Sequence, residues 1–542
     1  MKHITRTVHH IVRMLSFIFL LSAPYQLMAI NPYLPLWEYI PDGEPYVFED
    51  PDNPGKWRVY VYGSHDSMKT EYCGREQVVW SASIDNLNEW RYDGIIFESK
   101  KDANGQWLNP NGIGDVLYAP DVMEYVDKNG KKTYYLYPNN QCGGRNGMVA
   151  KSKRPDGPFE VINWNPENPN ETIGDLRFDP AVFIDDDGRV YGYWGFEEAC
   201  AAELDPTTMA TVKPGTQVLR HYINQHKDPG IFRFFEASSM RKIKDKYVLI
   251  YSRYTGDGEF GLPTSNYTLA YAYSNSPLGP FVYGGTIIDG RGRDVDNFSR
   301  PIATATINGN THGSICEING QWWVFYHRQT GLDEFSRQAM VAPIDVQVTE
   351  GPHGKVYISE GEYTSEGFAT QGLNPFKRHS AGIACYYTGP KPAIHNWPNK
   401  TFFGSYVKPL RLEGVPQGDS YDLSVNHNPV INNTDGSIIG YKYFNFDCTY
   451  GVPHLQLKMN VLPLGVDAVI EIYVDSPYPS RGGKQVGEFK LSSSQAKKKT
   501  ELKADVSTLS QFQGKHALFF VVKSVKKGIS VCELHDFVFT VK

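Results

Sequence analysis

Along most of the chain, apolar and polar residues alternate in runs of four to eight, the period-two signature of strands with one buried face. One phrase recurs five times: an apolar strand, a turn built on Asp, Gly or Lys-Asp, then a strongly aromatic strand. It reads GEPYVFED…WRVYVYGS from Gly43, YAPDVMEYVDKNGKKTYYLYPN from Tyr118, and FDPAVFIDDDGRVYGYWG from Phe178. It returns as FEASSMRKIKDKYVLIYS from Phe235 and THGSICEINGQWWVFYHR from Thr311. Each copy predicts a β-hairpin. Aligned at Tyr60, Tyr135, Tyr191, Val248 and Val324, the copies lie 75, 56, 57 and 76 residues apart, room for a hairpin and two further strands. The phrase PxGPF also recurs, at Pro155–Phe159 and Pro277–Phe281, as if in equivalent outer strands. Five four-stranded units arranged radially predict a five-bladed β-propeller over residues 30–350, a design that protects strand edges. A sandwich followed by a barrel does not account for five equivalent hairpins.

Beyond Pro343 the phrase stops. Residues 351–379 read as a linker. From Ser380 the pattern changes to short alternating strands: IIGYKYFNF, HLQLKMNV, DAVIEIYVD, HALFFVVKS and VCELHDFVFTV. Residues 380–542 therefore predict a second all-β unit, a β-sandwich of jelly-roll type.

Composition sharpens this picture. A chain of 542 residues, 41% apolar, can bury more than one core. Its 35 Tyr, 28 Phe, 10 Trp, 50 Gly and 35 Pro suit turn-rich β structure. With 54 basic against 60 acidic residues the net charge is -6, which argues against nucleic acid as a partner. Seven cysteines without a CxxC pair argue against a zinc site or a disulfide scaffold. Residues 1–29 read as a signal peptide: Lys2, Arg6 and Arg13, an apolar run from Met14 to Ala23, and Ala29 at the cleavage position. That run is about half of the ~20 residues a membrane span needs. Export to the periplasm, cell surface or medium is expected, with no membrane span in the mature chain. The oligomeric state stays open.

The chemistry sits where the copies begin. Each first strand opens on a polar residue: Glu44, Asp121, Asp179, Glu236 and His312. In a propeller, equivalent positions at the start of the innermost strands converge on the axis. Clustering acids costs repulsion and desolvation, so a purely structural channel would avoid them. A hard cation is one use, although calcium wants six to eight oxygens, and His312 would serve it only through a water. Glycoside hydrolysis is the other: one carboxyl protonated, a second ionised, and a third that holds the donor's pKa up.

The segments FDPAVFIDDDG, YAPDV, FFEASSM and THGSICE…WWVFYHR resemble glycoside hydrolase family 43, over about residues 31–350. The resemblance implies a first-blade general base, Asp179 as the pKa-tuning acid and Glu236 as the general acid. The base position falls on Glu44, in GEP rather than the family's ADP; Asp42, two residues earlier, is the fallback. His65 and Asp66, in GSHD, are candidates to line the pocket or to form a turn. Asp121 falls near the substrate, hydrogen-bonded rather than catalytic. His312 matches an axial histidine that holds water or a structural calcium ion, and Arg337 an arginine near the acid. Trp194 is a candidate to stack on a sugar or to serve as blade core. The stretch GYKYF…HALFFVV…DFVF is similar to family 6-like carbohydrate-binding modules, while a structural sandwich packed on the propeller is an equal reading.

Together these imply an exported glycosidase, inverting and exo-acting, needing no cofactor. It would remove α-L-arabinofuranosyl or β-D-xylosyl groups from polysaccharides or oligosaccharides. Glu44 keeps galactosyl and galactofuranosyl substrates open, and a non-catalytic glycan-binding propeller is the alternative from another class. Exo action is read from supposed insertions at Glu71–Asn111 and Pro206–Asp228, placed to wall one end of the channel.

Overall fold

The computed structural model describes residues 30–68, 71–225, 227–228, 230–305, 309–330, 335–390, 404–409 and 428–542. Residues 1–29, the expected signal peptide, lie outside them. Five sheets follow one another in chain order, each paired strand to next strand. The first blade contains Glu44–Glu49, Trp57–Tyr62, Glu76–Ser83 and Asn86–Glu98, all antiparallel. The inner strands of the next four are Asp121–Val126, Ala181–Ile184, Phe234–Ile243 and Ser314–Ile318.

Strand alternation explains how the sheets join. Val59 and Val61 pack with Trp323, Phe325 and Val341 of blade five, while Tyr60 and Tyr62 on the other face pack with Val122, Tyr134 and Leu136 of blade two. In the same way Tyr191 and Tyr193 face blade four, and Val190 and Trp194 face blade two. Val248 and Ile250 of blade four meet Ile315 and Val324 of blade five. Five interblade cores thus close a ring, and the protein is a five-bladed propeller.

Blade five has three strands of its own among the described residues. The N-terminal segment lies along the third: the Asn31 amide bonds both the N–H and the C=O of Val341, and the Tyr33 N–H donates to the Ala339 carbonyl. The supposed insertion Glu71–Asn111 contains the outer strands Glu76–Ser83 and Asn86–Glu98, and Pro206–Asp228 contains the fourth strand of blade three, Leu219–Arg220. The first is therefore largely regular blade, whereas the second is mostly loop around a two-residue strand.

The stretch after residue 350 is packed rather than loose. Ile358 and Tyr363 fill the core between blades four and five, and Phe368 that between blades five and one. Beyond it, two sheets face each other in a sandwich. One runs Tyr406–Val407, Val430–Asn433, Cys532–Val541, Leu455–Pro463 and Thr500–Asp505, with His379–Ser380 also paired to Cys532–Val541. The other runs Tyr386–Thr388, Ile438–Asn445, Lys515–Lys523, Ala468–Val474 and Lys484–Leu491. Leu457, Met459, Ile470, Ile472, Phe520 and Phe537 fill the space between them. Arg328 of blade five donates to the carbonyls of Gly382 and Ala384, tying the two parts together.

Candidate active site

The residues at the axis form two tiers. A parallel bridge pairs Gly43 with Gly313, so Asp42 is level with His312, and Glu44 with Ser314. Asp42, Ala119, Asp179, Glu236 and His312 line one pocket of about 330 Å³ at the upper tier. Glu44, Asp121, Ser239 and Ser314 lie a level deeper. The first-blade acid in the pocket is therefore Asp42, and Glu44 does not line it. The physical reason is local. Asp42 has φ 60, outside the extended region, so Asp42 and Glu44 do not share a face as two residues of a strand would.

Glu44 is held by Arg241 at 2.8 Å and accepts the Ser239 hydroxyl at 3.1 Å. Burial lifts its pKa to about 7 against the pull of Arg241, with the Asp121 charge adding to the rise. Asp121 accepts the Val182 N–H, the Val122 N–H and the Tyr46 hydroxyl, at 2.7, 2.8 and 2.7 Å. It stitches blades one, two and three together beneath the pocket. The Ser239 and Ser314 hydroxyls bond at 2.8 Å between blades four and five. This tier floors the pocket.

In the upper tier each acid has its own surroundings. Asp42 accepts from Arg337 Nη1 at 3.0 Å and from the Ser64 hydroxyl at 2.5 Å. Burial pushes its pKa up, but Arg337, His327, His312 and that hydroxyl together hold it below the usual carboxylate range. Asp42 is ionised at neutral pH. Glu236 sits where the pairing of Phe234–Ile243 with its neighbour slips, and Ala237 beside it has φ 66. Such a bulge re-aims a side chain out of the ladder. Burial, and then the charge of Asp42, raise the Glu236 pKa to about 8 against one weak donor, the Asn310 amide at 3.3 Å.

Asp179, φ 48, is raised by burial and by its two acidic neighbours, Glu236 and Asp42. It accepts from the Asn139 amide at 2.9 Å, and the Ala237 N–H also lowers it. Asp179 and Glu236 form a coupled pair in which one proton is favoured. The pair holds at least one proton near neutrality, and Asp179 has the closer hydrogen-bond donor, the Asn139 amide.

Arg337 is buried and fully committed: its N–H, Nε and Nη2 bind Asp66 at 3.0, 3.0 and 2.9 Å, and Nη1 binds Asp42. Asp66 is thus an anchor behind the pocket, not part of its lining. His65 also lies outside the lining, clamped between Glu38 and Glu76 at 3.0 Å each, which lifts its pKa, against burial, to about 10. Trp194 is buried between blades two and three. Phe196, 51% exposed, stands at the pocket instead, edge-on to Phe178 at 5.4 Å and to Phe235 at 5.2 Å. His312 lines the pocket 3.6 Å from Asp179, and burial lowers its pKa to about 4, so it is neutral.

The six to eight direct oxygen ligands that a calcium ion wants are not gathered here. No group of three or more His, Cys, Asp or Glu among the described residues is arranged to hold a metal. The guanidiniums of Arg337 and Arg241 occupy the partner positions that a cation would take. No step below runs through a metal.

Asp42, Asp179, His312 and Arg337 were readable as candidates, but the two tiers were not separated. The shared Asp-Gly and His-Gly pairs at 42–43 and 312–313 carry the signal that sets blade one in register.

A floored propeller pocket that pairs an ionised carboxylate with a protonated one defines an acid/base hydrolase. Comparison with known proteins gives the family. The profile of the glycosyl hydrolases family 43 matches residues 58–350. A xylosidase/arabinosidase of Thermoclostridium stercorarium is 33% identical over 463 residues, covering 80% of this chain and 86% of the relative. A xylosidase/arabinosidase 43A of Humicola insolens is 29% identical over 319 residues, 50% of this chain and 84% of that one. A family 43 arabinoxylan arabinofuranohydrolase structure from Bacillus subtilis aligns with TM-score 0.43 and 22% identity, over 93% of this chain and 96% of that one. The chain belongs to glycoside hydrolase family 43, and it is a glycoside hydrolase acting on carbohydrate.

Proposed function

We propose that the enzyme removes terminal α-L-arabinofuranosyl or β-D-xylosyl groups from polysaccharides or oligosaccharides, with inversion at the anomeric carbon, after export under the 1–29 leader. One observation carries the mechanism: Asp42 and Glu236 face the same floored pocket with opposite protonation at neutral pH. Glu236 gives its proton to the leaving oxygen. Asp42, held ionised by Arg337, takes a proton from the attacking water. Asp179 keeps the Glu236 proton in place by its charge and, once Glu236 has ionised, bears the repulsion with help from Asn139. The Ser64 hydroxyl and the His327 ring, which accepts the Asp42 N–H at 3.2 Å, fix the base from behind. No cofactor enters this acid/base chemistry.

The sugar class is supported by the relatives' names, and exo action by the floored pocket, whose size suits one terminal ring. The reason for keeping galactosyl substrates open was a Glu at the base position. With Asp42 at the pocket that reason falls away. A panel of aryl α-L-arabinofuranosides, β-D-xylosides and β-D-galactosides, with the product anomer followed by NMR, tests the reading. Release of the pentosides with inversion is expected. Product of retained configuration, or galactoside turnover alone, refutes it. N-terminal sequencing of the enzyme recovered outside the cytoplasm tests export, with cleavage after Ala29 expected.

A further inference from the structure

A second cavity lies at the seam between propeller and sandwich. A propeller hairpin, Arg293–Val295 with Pro301–Ala303, reaches over the outer face of the second sandwich sheet. Ile302 packs on that face against the patch formed by Tyr386, Ala517 and Phe519. Arg481 donates to the Ser299 hydroxyl at 2.9 Å, and the Ser480 hydroxyl to the Asn297 carbonyl at 3.5 Å. Between the two surfaces remains a cavity of about 360 Å³, sharing no lining residue with the active-site pocket.

The lining has a definite chemistry. Tyr443 and Tyr478, half-buried, supply what aromatic edge the cavity has, with Tyr386 buried behind them. Lys442, 13% exposed at its side chain, stands between two carboxylates, 3.2 Å from Glu362 and 3.7 Å from Asp294. The Tyr443 hydroxyl donates to Glu362 at 2.7 Å, so that acid is already oriented. Arg293, Arg481 and Asp475 complete the charged lining. A lining of three cations and three carboxylates gives no net attraction to a phosphate or to a polycation. An apolar ligand would cover these polar atoms without bonding to them. A sugar ring answers both features, since its C–H face lies on an aromatic ring while its hydroxyls each donate to a carboxylate and accept from an ammonium.

We infer that this seam cavity is a second carbohydrate site, taking a neutral stretch of the same polysaccharide whose terminal groups the active site removes. The inference rests on the proposed substrate class for the identity of the sugar. Because the cavity is built from propeller and sandwich together, an occupied site holds polymer against both parts at once.

Calorimetric titration of the full chain carrying Glu236→Gln with linear β-1,4-xylotetraose tests it, beside the same chain with Tyr478→Ala or Lys442→Met added. Each added change is expected to weaken one binding event by about tenfold, the scale of a lost aromatic or charge-assisted contact. In the active background, Tyr478→Ala is expected to raise KM on polymer while kcat/KM on an aryl pentoside stays within about twofold. Lys442→Met guards against a folding artefact, since it leaves the aromatic surface in place. Titrations that are the same in parent and both variants overturn the inference. An active background that cleaves no aryl pentoside refutes the proposed function instead, while the titration still reports on the seam.

Discussion

Asp42 and Glu44 are two residues apart, yet their surroundings assign them opposite work. Asp42 meets Arg337 and the pocket; Glu44 meets Arg241 and the floor. Asp42→Asn is expected to lower kcat by about 10²–10⁴-fold with the fold intact, as loss of a general base does. Glu44→Gln is expected to keep most activity, whereas Glu44→Ala leaves Arg241 buried and unpaired and should cost about 3–5 kcal/mol in denaturant unfolding. Activity assays on the first two and an unfolding titration of the third separate these roles. Glu236→Gln should lower kcat as deeply as Asp42→Asn on a substrate with a poor leaving group.

The pH behaviour follows from the same two acids. Activity needs Asp42 ionised and Glu236 protonated, so kcat/KM should fall as pH drops through a base limb below the ordinary Asp range. It should fall again as pH rises through about 8. Stability carries the matching sign. Glu236 is raised from 4.5 to about 8 in the folded state, so the stability it contributes is full below pH 4.5 and lost as pH rises toward 8. Glu236→Gln lacks that loss, and its Tm should gain on the wild type across this window. Thermal scans at several pH values check it.

At the scale of strands, the five hairpins were legible because period-two alternation sends one face of each strand to one neighbour and the other face to the next. Val59 and Tyr60, adjacent in sequence, serve different cores. What alternation cannot show is where it breaks. The positive φ angles at Asp42, Asp179 and Ala237, and the slip at Glu236, lie where the site departs from regular strand geometry. The same limit separated Trp194 from Phe196: the strand ends at Trp194, and Gly195, with φ 132, turns the next side chain out toward the pocket. Phe178, Phe196 and Phe235 form an aromatic rim, and Phe196 is its exposed member. Phe196→Ala is expected to raise KM several-fold with a smaller change in kcat, by loss of a stacking surface. Steady-state kinetics on an oligosaccharide reads the split.

For the whole molecule, the propeller was readable from repetition, and the sandwich from the change of rhythm after Ser380. The stretch read as a linker was misleading because its Gly, Ser and Thr resemble a loop, while Ile358, Tyr363 and Phe368, spaced among them, fill the propeller's own cores. A chain cut after residue 350 should therefore be insoluble or sharply destabilised, and one cut after 390 should keep more of the propeller's stability. Expression and thermal scans of the two decide this. Chelation of the intact enzyme is expected to leave kcat unchanged, since the proton transfers of Asp42 and Glu236 need no ion.

The closure of blade five by Asn31 and Tyr33 has a consequence for the life of the chain. Asp42 and the guanidinium that keeps it charged are 295 positions apart. They meet only when the first strand emerging from the ribosome is joined by nearly the last of the ring. A nascent chain therefore carries its acid long before it carries a working base, and hydrolytic power arrives in one step, at the moment the circle shuts.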